Sequence, residues 1–231
     1  TTLAFVRLVD GQAQYAFFDE KSAMRITTNE HLPELDDRVQ CLHFGGMSLI
    51  PEPCGSTFET LMTLQQDHRL ISFDPNIRAG FVTDEPGYRA RVRRMLSMSD
   101  IIKLSDEDME WVTGSQNFDT VAGNWLLEGA KAVVVTRGAE GLIGYTQNHR
   151  VEQAPFPAEV VDTVGAGDTV NAGLLAYLAK QNLLSKEAVS NLSEKQLEGM
   201  LALGGGAASV TVARAGANPP HLADLPDGAL L

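Results

Sequence analysis

The chain has 231 residues, 44% of them hydrophobic, and its formal net charge is −12. This size and apolar content suit one main α/β domain. Because acidic proteins are repelled by nucleic acid and by anionic membranes, we expect neither as a partner. No apolar run reaches the roughly 18 residues that a membrane-spanning helix needs. The two cysteines, Cys41 and Cys54, suggest neither a disulfide framework nor a metal site, and they favour a reducing, cytoplasmic setting.

The first elements are two short β-rich runs, 3–8 and 14–18, joined across Asp10-Gly11. A glycine at this turn accepts the positive φ that hairpins need, so the sequence predicts a β-hairpin flap. The chain begins directly in this strand with no initiator methionine, and we expect part of a longer protein to precede it. We assign residues 1–24 to a β lid and residues 25–231 to an α/β core.

From residue 39 the pattern changes to apolar strands that alternate with longer amphipathic stretches, which is typical of parallel βαβ units. The predicted strands are 39–43, 69–74, 101–104 and 132–136, and the predicted helices are 57–66, 88–98, 106–112 and 120–128. Strands at 141–146 and 149–152 are expected to be antiparallel, as at a sheet edge. Two helices follow, one after Gly167 to residue 180 and one from Ser193 to residue 212, where Ser193 and Gln196 form a capping-box pattern.

The strongest local signal is the run from Asp162 to Asp168, which reads DTVGAGD. Its glycines permit a tight turn before an apolar-periodic helix, so several backbone N–H groups and the positive helix end converge on one point. Such a point stabilises anionic oxygens, and Asp168 beside it can accept a proton from an attacking hydroxyl. For an isolated Gly-x-Gly-Asp, a structural turn whose aspartate complements the helix dipole is the simpler explanation.

The longer string from Asp162 to Leu175 resembles the C-terminal signature of the PfkB, or ribokinase-like, family of carbohydrate kinases. The resemblance implies a three-layer αβα fold with a mostly parallel central sheet and a small β lid. It also implies transfer of the ATP γ-phosphate to a sugar hydroxyl, with Asp168 as catalytic base and Gly165, Ala166 and Gly167 forming the anion-binding turn. Lid strands of this family cover the sugar and often pair with another subunit, so a homodimer through residues 1–24 is implied.

Other segments extend the resemblance. Residues 72–78 resemble the family's Asp-x-Asn-x-Arg segment, which implies that Asn76 and Arg78 bind substrate. The alternative is an Asp-Pro-Asn turn with a surface arginine. Residues 103–108 occupy the place of the Asn-x-x-Glu motif, with Ser105 and Asp108 in place of Asn and Glu. Their oxygens suit magnesium or its bound water. Ser105-x-x-Asp108 is equally a helix N-cap pattern.

Residues 133–141 resemble the family's strand followed by Thr-x-Gly-x-x-Gly, which lies against ATP, and alone this would be an ordinary glycine turn. Residues 207–218 resemble the closing helix and loop beside the adenine. The nucleotide contacts implied by these resemblances are Thr136, Gly138, Gly141, Lys103, Ser105 and Asn218. The implied metal ligands are Asp108 for Mg²⁺ and, for a monovalent cation such as K⁺, Asp162 and the carbonyl of Val164.

Within the family, the sequence is most similar to fructokinases, which implies fructose as acceptor; a ketodeoxygluconate or riboside kinase stays open. The family's first segment, with a sugar-binding Asp and a Gly-Gly-x-x-x-Asn motif, has no counterpart before Thr1, so a non-catalytic binding protein on this fold is also open. A dinucleotide-dependent oxidoreductase is disfavoured because Gly165-Ala166-Gly167 lacks the third glycine and lies late in the chain. No P-loop string occurs.

Overall fold

The computed structural model describes residues 3–9 and 12–229, so the predicted turn at Asp10-Gly11 lies outside the described residues. Strands β1 (Leu3–Val9) and β2 (Gln12–Phe18) pair antiparallel as a separate two-stranded sheet. Leu3 pairs with Phe18 at one end of this ribbon. The predicted hairpin strands are therefore confirmed, whereas the domain boundary at residue 24 stays a prediction.

A six-stranded sheet forms the centre of the molecule, and its strands lie side by side in chain order. They are β3 (Cys41–Gly45), β4 (Leu70–Asp74), β5 (Ile101–Ser105), β6 (Ala132–Thr136), β7 (Leu142–Tyr145) and β8 (Arg150–Gln153). Neighbours from β3 to β6 are parallel, and β7 and β8 are antiparallel to their neighbours. Each predicted strand is present, and the predicted antiparallel edge is confirmed.

Seven α-helices accompany these strands in the described part of the chain. They are α1 (Cys54–Gln65), α2 (Glu85–Ser97), α3 (Asp106–Thr113), α4 (Phe118–Glu128), α5 (Ala166–Lys180), α6 (Lys186–Ser190) and α7 (Glu194–Val212). The capping box of Ser193 and Gln196 at the start of α7 is confirmed.

Helices α1 and α2 begin three residues earlier than the sequence predicts, α4 and α5 begin two residues earlier, and α6 was not predicted. The predicted starts of α1 and α2 were residues 57 and 88, because the first turns contain Pro or Gly, which are typical of loops. Proline is well accommodated in a first helical turn, where its missing N–H costs no hydrogen bond. The short α6 buries only Val189, so it has no apolar periodicity to detect.

Two apolar layers cover the faces of the sheet and confirm the three-layer architecture. Val133 and Val135 of β6 pack with buried residues of α1 to α4, while Ala132 and Val134 pack with those of α5 to α7. Alternate side chains of a strand point to opposite faces, so an almost continuous valine run suits a strand buried on both sides. No helix among residues 3–9 and 12–229 is long and apolar enough to cross a membrane.

Helices α5 and α7 approach each other through glycines. A Cβ built on Gly173 would lie 2.6 Å from the Cα of Gly204 and 2.9 Å from the carbonyl oxygen of Leu203. Such distances are shorter than van der Waals contact with backbone atoms that cannot move aside, so only glycine fits at position 173. This contact holds α5, and with it the glycine turn at its start, against the second layer.

We therefore expect Gly173→Ala to lower the free energy of unfolding by about 1–3 kcal/mol, the usual cost of overpacking a close interface. Denaturant unfolding of the variant and the parent measures the difference. Gly123→Ala is the matched control, because a methyl group on this helical glycine would have no neighbour within 4 Å. It should be neutral or stabilise the protein by up to about 1 kcal/mol. Equal effects at both positions would contradict this account of the contact.

Candidate active site

The parallel strands end in polar residues along one edge of the sheet. Asp74 ends β4, Ser105 ends β5 and Thr136 ends β6, and the β5–β6 register places Ser105 directly beside Thr136. The carboxyl edge of a parallel sheet is where α/β proteins bind their ligands. The residues that the sequence singled out therefore meet at the edge where a site is expected.

The glycine turn at the start of α5 leaves backbone donors free. Gly165 takes a left-handed conformation with φ of 81°, which glycine adopts without strain. The Ala166 N–H donates to the Thr163 carbonyl at 3.2 Å. The N–H groups of Gly165, Gly167 and Asp168 donate to no acceptor within the described residues. Free N–H groups at a helix start bind anions, so the structure contains the donor arrangement that the predicted anion-binding turn requires.

Asp168 is exposed in the first turn of α5, beside these donors. Within the part of the chain that the structure describes, its carboxylate accepts no recorded hydrogen bond. The positive end of the helix favours a negative charge at this position. The carboxylate is thus free to accept a hydrogen bond from a ligand hydroxyl.

A buried polar cluster lies on the sheet next to the turn. The Nζ of Lys103 is 2.9 Å from Oδ2 of Asp74, and Nδ2 of Asn171 donates to the same oxygen at 2.7 Å. The N–H of Asn76 donates to Oδ1 of Asp74 at 3.1 Å. A Cβ on Gly167 would lie 3.0 Å from the Lys103 Nζ. Lys103, which the resemblance places at the nucleotide, is therefore held by Asp74 close to the turn.

The cluster continues into the loop after β4. Asn76 has a positive φ of 39°, and Nη1 of Arg78 donates to the carbonyl of Ile77 at 3.0 Å. Ile77 in turn donates its N–H to Oδ1 of Asp108 at 3.0 Å, and Ser105 accepts the Asp108 N–H at 3.0 Å. The helix-cap role of Ser105 is confirmed. Burial raises the pKa of the Asp108 carboxyl, and the nearby charge of Asp74 adds to this effect.

His43 of β3 lies near this site, and no role was predicted for it from the sequence. Its Nδ1 lies 3.0 Å from the hydroxyl of Ser72 on the neighbouring strand. His43 is exposed, yet nearby protein atoms desolvate its ring and lower the pKa of the imidazole, against the opposing influence of Asp74 and Asp168. The signal that could have found it is a polar side chain near the carboxyl end of a predicted core strand.

A cavity of about 640 Å³ opens beside the turn, within the range of small-molecule sites. The predicted nucleotide contacts among its lining residues are Thr136, Gly138 and Gly141, and the turn contributes Ala166 and Gly167. Its apolar walls include Leu142, Phe156, Val160, Val170, Ala208 and Val212. Lys103, Ser105 and the exposed Asn218 are not among the residues that line it.

Asp162 ties the glycine turn to the loop that follows α7. Its Oδ1 accepts the N–H of Val164 at 3.0 Å, and its Oδ2 accepts the N–H of Gly216 at 2.8 Å. Both bonds lower the pKa of the carboxyl, and the bond from Val164 has the larger effect. Residues 3–9 and 12–229 contain no cluster of three acidic, histidine or cysteine side chains that could hold a metal. The cation-binding role of Asp162 and Val164 stays a prediction.

Comparison with known proteins identifies the family of this chain. Residues 1–224 match the family described as pfkB family carbohydrate kinase. The chain belongs to this family. Over 197 residues it is 51% identical to a fructokinase from Rhizobium leguminosarum bv. trifolii, a match that covers 85% of this chain and 60% of the relative. It is 32% identical to probable fructokinase-7 of Arabidopsis thaliana, a match that covers 95% of this chain and 64% of that relative.

Solved structures of pfkB kinases share the fold. The chain matches a fructokinase from Xylella fastidiosa with bound ATP at a TM-score of 0.82 and 23% identity, covering 98% of this chain and 70% of that one. It matches a fructokinase from Vibrio cholerae O395, in the form bound to fructose, ADP and calcium ion, at a TM-score of 0.75 and 23% identity. This match covers 88% of this chain and 64% of that one. The chain spans 60% and 64% of the length of the two curated relatives named above.

In this pfkB family chain, the bonds of Asp162 give a testable dependence of stability on pH. Because its pKa is lowered on folding, its ionised form stabilises the folded protein above the ordinary value of 3.8, and this contribution disappears as the pH falls through the folded-state pKa. Asp162→Ala should therefore lower the Tm at pH 7, and the difference from the parent should shrink on acidification. Thermal unfolding across pH measures it. A difference independent of pH would contradict this account, and Asp227→Ala, an exposed carboxylate elsewhere, should leave the Tm at pH 7 unchanged.

Proposed function

We propose that this chain is the ATP-binding and catalytic part of a kinase that transfers the γ-phosphate of ATP to a hydroxyl of a sugar, with fructose as the acceptor. The observation that carries the proposal is the free carboxylate of Asp168 beside the N–H groups of Gly165, Gly167 and Asp168, in a turn whose Ala166 and Gly167 line a cavity of about 640 Å³. Two fructokinases among its relatives support the choice of acceptor.

ATP fits the cavity in size and in chemistry. The apolar wall formed by Leu142, Phe156 and Val212 suits a nucleobase, whereas the turn end offers N–H donors for phosphate oxygens. Gly141 keeps the wall close: a Cβ there would lie 2.2 Å from the carbonyl oxygen of Gln153. Thr136, Gly138 and Gly141 would thus contact the nucleotide, in agreement with the sequence-based prediction.

Phosphoryl transfer needs positioning and stabilisation of negative charge more than covalent chemistry by the protein. Asp168 accepts the proton of the acceptor hydroxyl as the oxygen attacks the γ-phosphorus. The bond from that phosphorus to the β,γ-bridging oxygen breaks, and ADP leaves. The free N–H groups of the turn stabilise the charge arrangement that develops as this bond breaks.

Magnesium would be held mainly by the phosphates and by water, with Asp108 as the protein group that orients a bound water. The oxygen chemistry of Asp108 fits a hard cation, and Mg²⁺ commonly keeps several waters when it binds through one or two carboxylates. Bound magnesium would neutralise part of the phosphate charge.

We also propose that Asp162 and the carbonyl of Val164 bind K⁺. We propose that Asn76 and Arg78 bind the sugar, since Arg78 offers a planar set of hydrogen-bond donors. A cytoplasmic location stays a prediction.

The catalytic role of Asp168 is tested by Asp168→Asn in the full natural protein. We expect ADP release from ATP and fructose to fall by about 10²–10⁴-fold, the usual contribution of a general base, while ATP binding persists. Coupled assay of ADP and calorimetric ATP titration measure the two quantities. Glu194→Gln, an exposed acid in the first turn of α7, is the matched control and should leave turnover unchanged.

Unchanged turnover in Asp168→Asn would exclude the proposed base. A panel of fructose, ribose, ketodeoxygluconate and a riboside tests the acceptor separately, because activity on another member with none on fructose would contradict fructose while preserving the kinase.

We further propose that the β1–β2 ribbon pairs with a second copy of the chain. The ribbon exposes large apolar side chains, with Leu3 at 53%, Phe5 at 60% and Phe18 at 61%. The rings of Phe5 and Phe18 lie 5.4 Å apart in an edge-to-face arrangement and form one patch. A two-stranded ribbon is marginally stable alone, so covering this patch supplies both stability and a reason to associate.

Replacing Phe5 and Phe18 together by Ser should convert a dimer into a monomer, as measured by light scattering during size-exclusion chromatography. Leu127→Ser is the control, because Leu127 is 82% exposed on α4, away from the ribbon. A parent that is itself monomeric at all concentrations, or a double variant that stays dimeric, would contradict this interface.

A further inference from the structure

Three polar side chains from different elements meet under the glycine turn: Asp74 of β4, Lys103 of β5 and Asn171 of α5. The side chains of Lys103 and Asp74 are only 4% and 3% exposed, and Asn171 is 5% exposed. Both the Lys103 ammonium, at 2.9 Å, and the Asn171 amide, at 2.7 Å, reach Oδ2 of Asp74. We refer to these three residues as the buried cluster.

Stability alone is a weak explanation for such a cluster. The free energy needed to remove two charges from water is about as large as the free energy gained from their attraction. Apolar replacements of buried ion pairs are therefore often neutral or stabilising. The sheet already has apolar layers on both faces, to which Leu104 and Val134 contribute. A charged pair at this position therefore calls for a role other than stability.

The position of the cluster indicates that role. Asn171 also donates to the carbonyl of Gly167 at 3.3 Å, one helical turn earlier. The Nζ of Lys103 would lie 3.0 Å from a Cβ on Gly167, so the ammonium touches the turn from below. An ammonium has three protons, and within the described residues only Asp74 is recorded as an acceptor for them. The cluster thus brings both a fixed bond and a positive charge to the turn that carries Asp168.

We propose that Asp74, Lys103 and Asn171 are positioning residues for phosphoryl transfer. Asp74 holds the Lys103 ammonium under Gly167, where its charge strengthens the anion-binding turn, and Asn171 fixes the carbonyl of Gly167 and so the first turn of α5. Because charge shifts towards the leaving β,γ-bridging oxygen as its bond to phosphorus breaks, groups placed for that charge arrangement bind the transition state more strongly than ATP. The cluster therefore acts on kcat rather than on the KM for ATP. This inference rests on the proposed kinase function.

The test is the double variant Asp74→Asn with Lys103→Met in the full natural protein, which removes both charges together and leaves neither unpaired. We expect kcat to fall by about 10²–10³-fold, as for loss of a donor to a developing oxyanion. The KM for ATP should change by less than about threefold, since an interaction made only in the transition state does not affect ground-state binding. Asn171→Leu keeps the ion pair but loses the amide's bonds to Asp74 and to the Gly167 carbonyl, and it should lower kcat by about tenfold.

The ion pair between Asp100 and Lys186 is the matched control. It lies at the opposite edge of the sheet, where Asp100 precedes β5 and accepts the N–H of Ile71 at 2.9 Å. Asp100→Asn with Lys186→Met should change the Tm and leave kcat at the parental value. A folded cluster variant with kcat within about threefold of the parent would overturn the inference, and so would an equal loss of kcat in the control pair, which would indicate a purely structural effect.

A second measurement separates this inference from the proposed function. ADP with magnesium and aluminium fluoride mimics the planar phosphoryl group, so the parent should bind it more tightly than ADP alone, and the cluster variant should lose that preference. If the parent binds ADP with aluminium fluoride more tightly than ADP alone but phosphorylates no sugar, the proposed function is wrong. The ratio of these two affinities in the parent and in the cluster variant still tests the inference. A variant that keeps the full preference, or a parent that has none, overturns the inference.

Discussion

The antiparallel packing of α5 on α7 is the contact on which the site depends. Three steps along it are visible: Thr169 bonds to Thr211 at 3.0 Å, Gly173 meets Gly204, and Tyr177 covers Gly199. This register places the start of α5 beside the end of α7. The N–H groups of residues 161 and 162 donate to the carbonyl of residue 212, so the approach to the glycine turn is held by the same helix. The position of the turn at the sheet edge thus follows from close helix packing.

The electrostatics of the site are local and contrast with those of the whole chain. With a net charge of −12, the protein cannot attract an anionic nucleotide through its overall field. Backbone N–H groups at the start of α5 and one buried ammonium supply the opposite sign at close range, where the lower effective dielectric strengthens each interaction. A few well-placed groups can therefore hold phosphate on an acidic protein, and the surrounding charge discourages binding of larger polyanions.

The sequence predicted much of the fold because most elements carry a strong local pattern. The valines of 132–136 can only be a buried strand, and both bounds of β6 were predicted correctly. The short α6 was not predicted because a helix with one buried side chain shows no apolar periodicity in its sequence. In the site, family resemblance assigned Thr136 and Gly138 to the nucleotide and Gly165, Ala166 and Gly167 to the anion-binding turn. Of these residues, Thr136, Gly138, Ala166 and Gly167 line one cavity. The partner of Lys103 was not predicted. Asp74 and Asn171 are separated by 97 positions, and only the packing of α5 over the sheet brings them together.

The carboxylates of the site differ in how fully their hydrogen-bonding capacity is used. Asp74 accepts three donors, Asp162 accepts two backbone N–H groups, and Asp108 accepts the N–H of residue 77. Each of these acids therefore joins two segments of chain and has a structural use. Asp168 alone among them accepts no bond from the described residues, although, like Asp108 in α3, it lies in the first turn of a helix. A carboxylate that lies beside free N–H donors yet accepts no bond is available to a substrate, and this contrast separates a base from its structural neighbours.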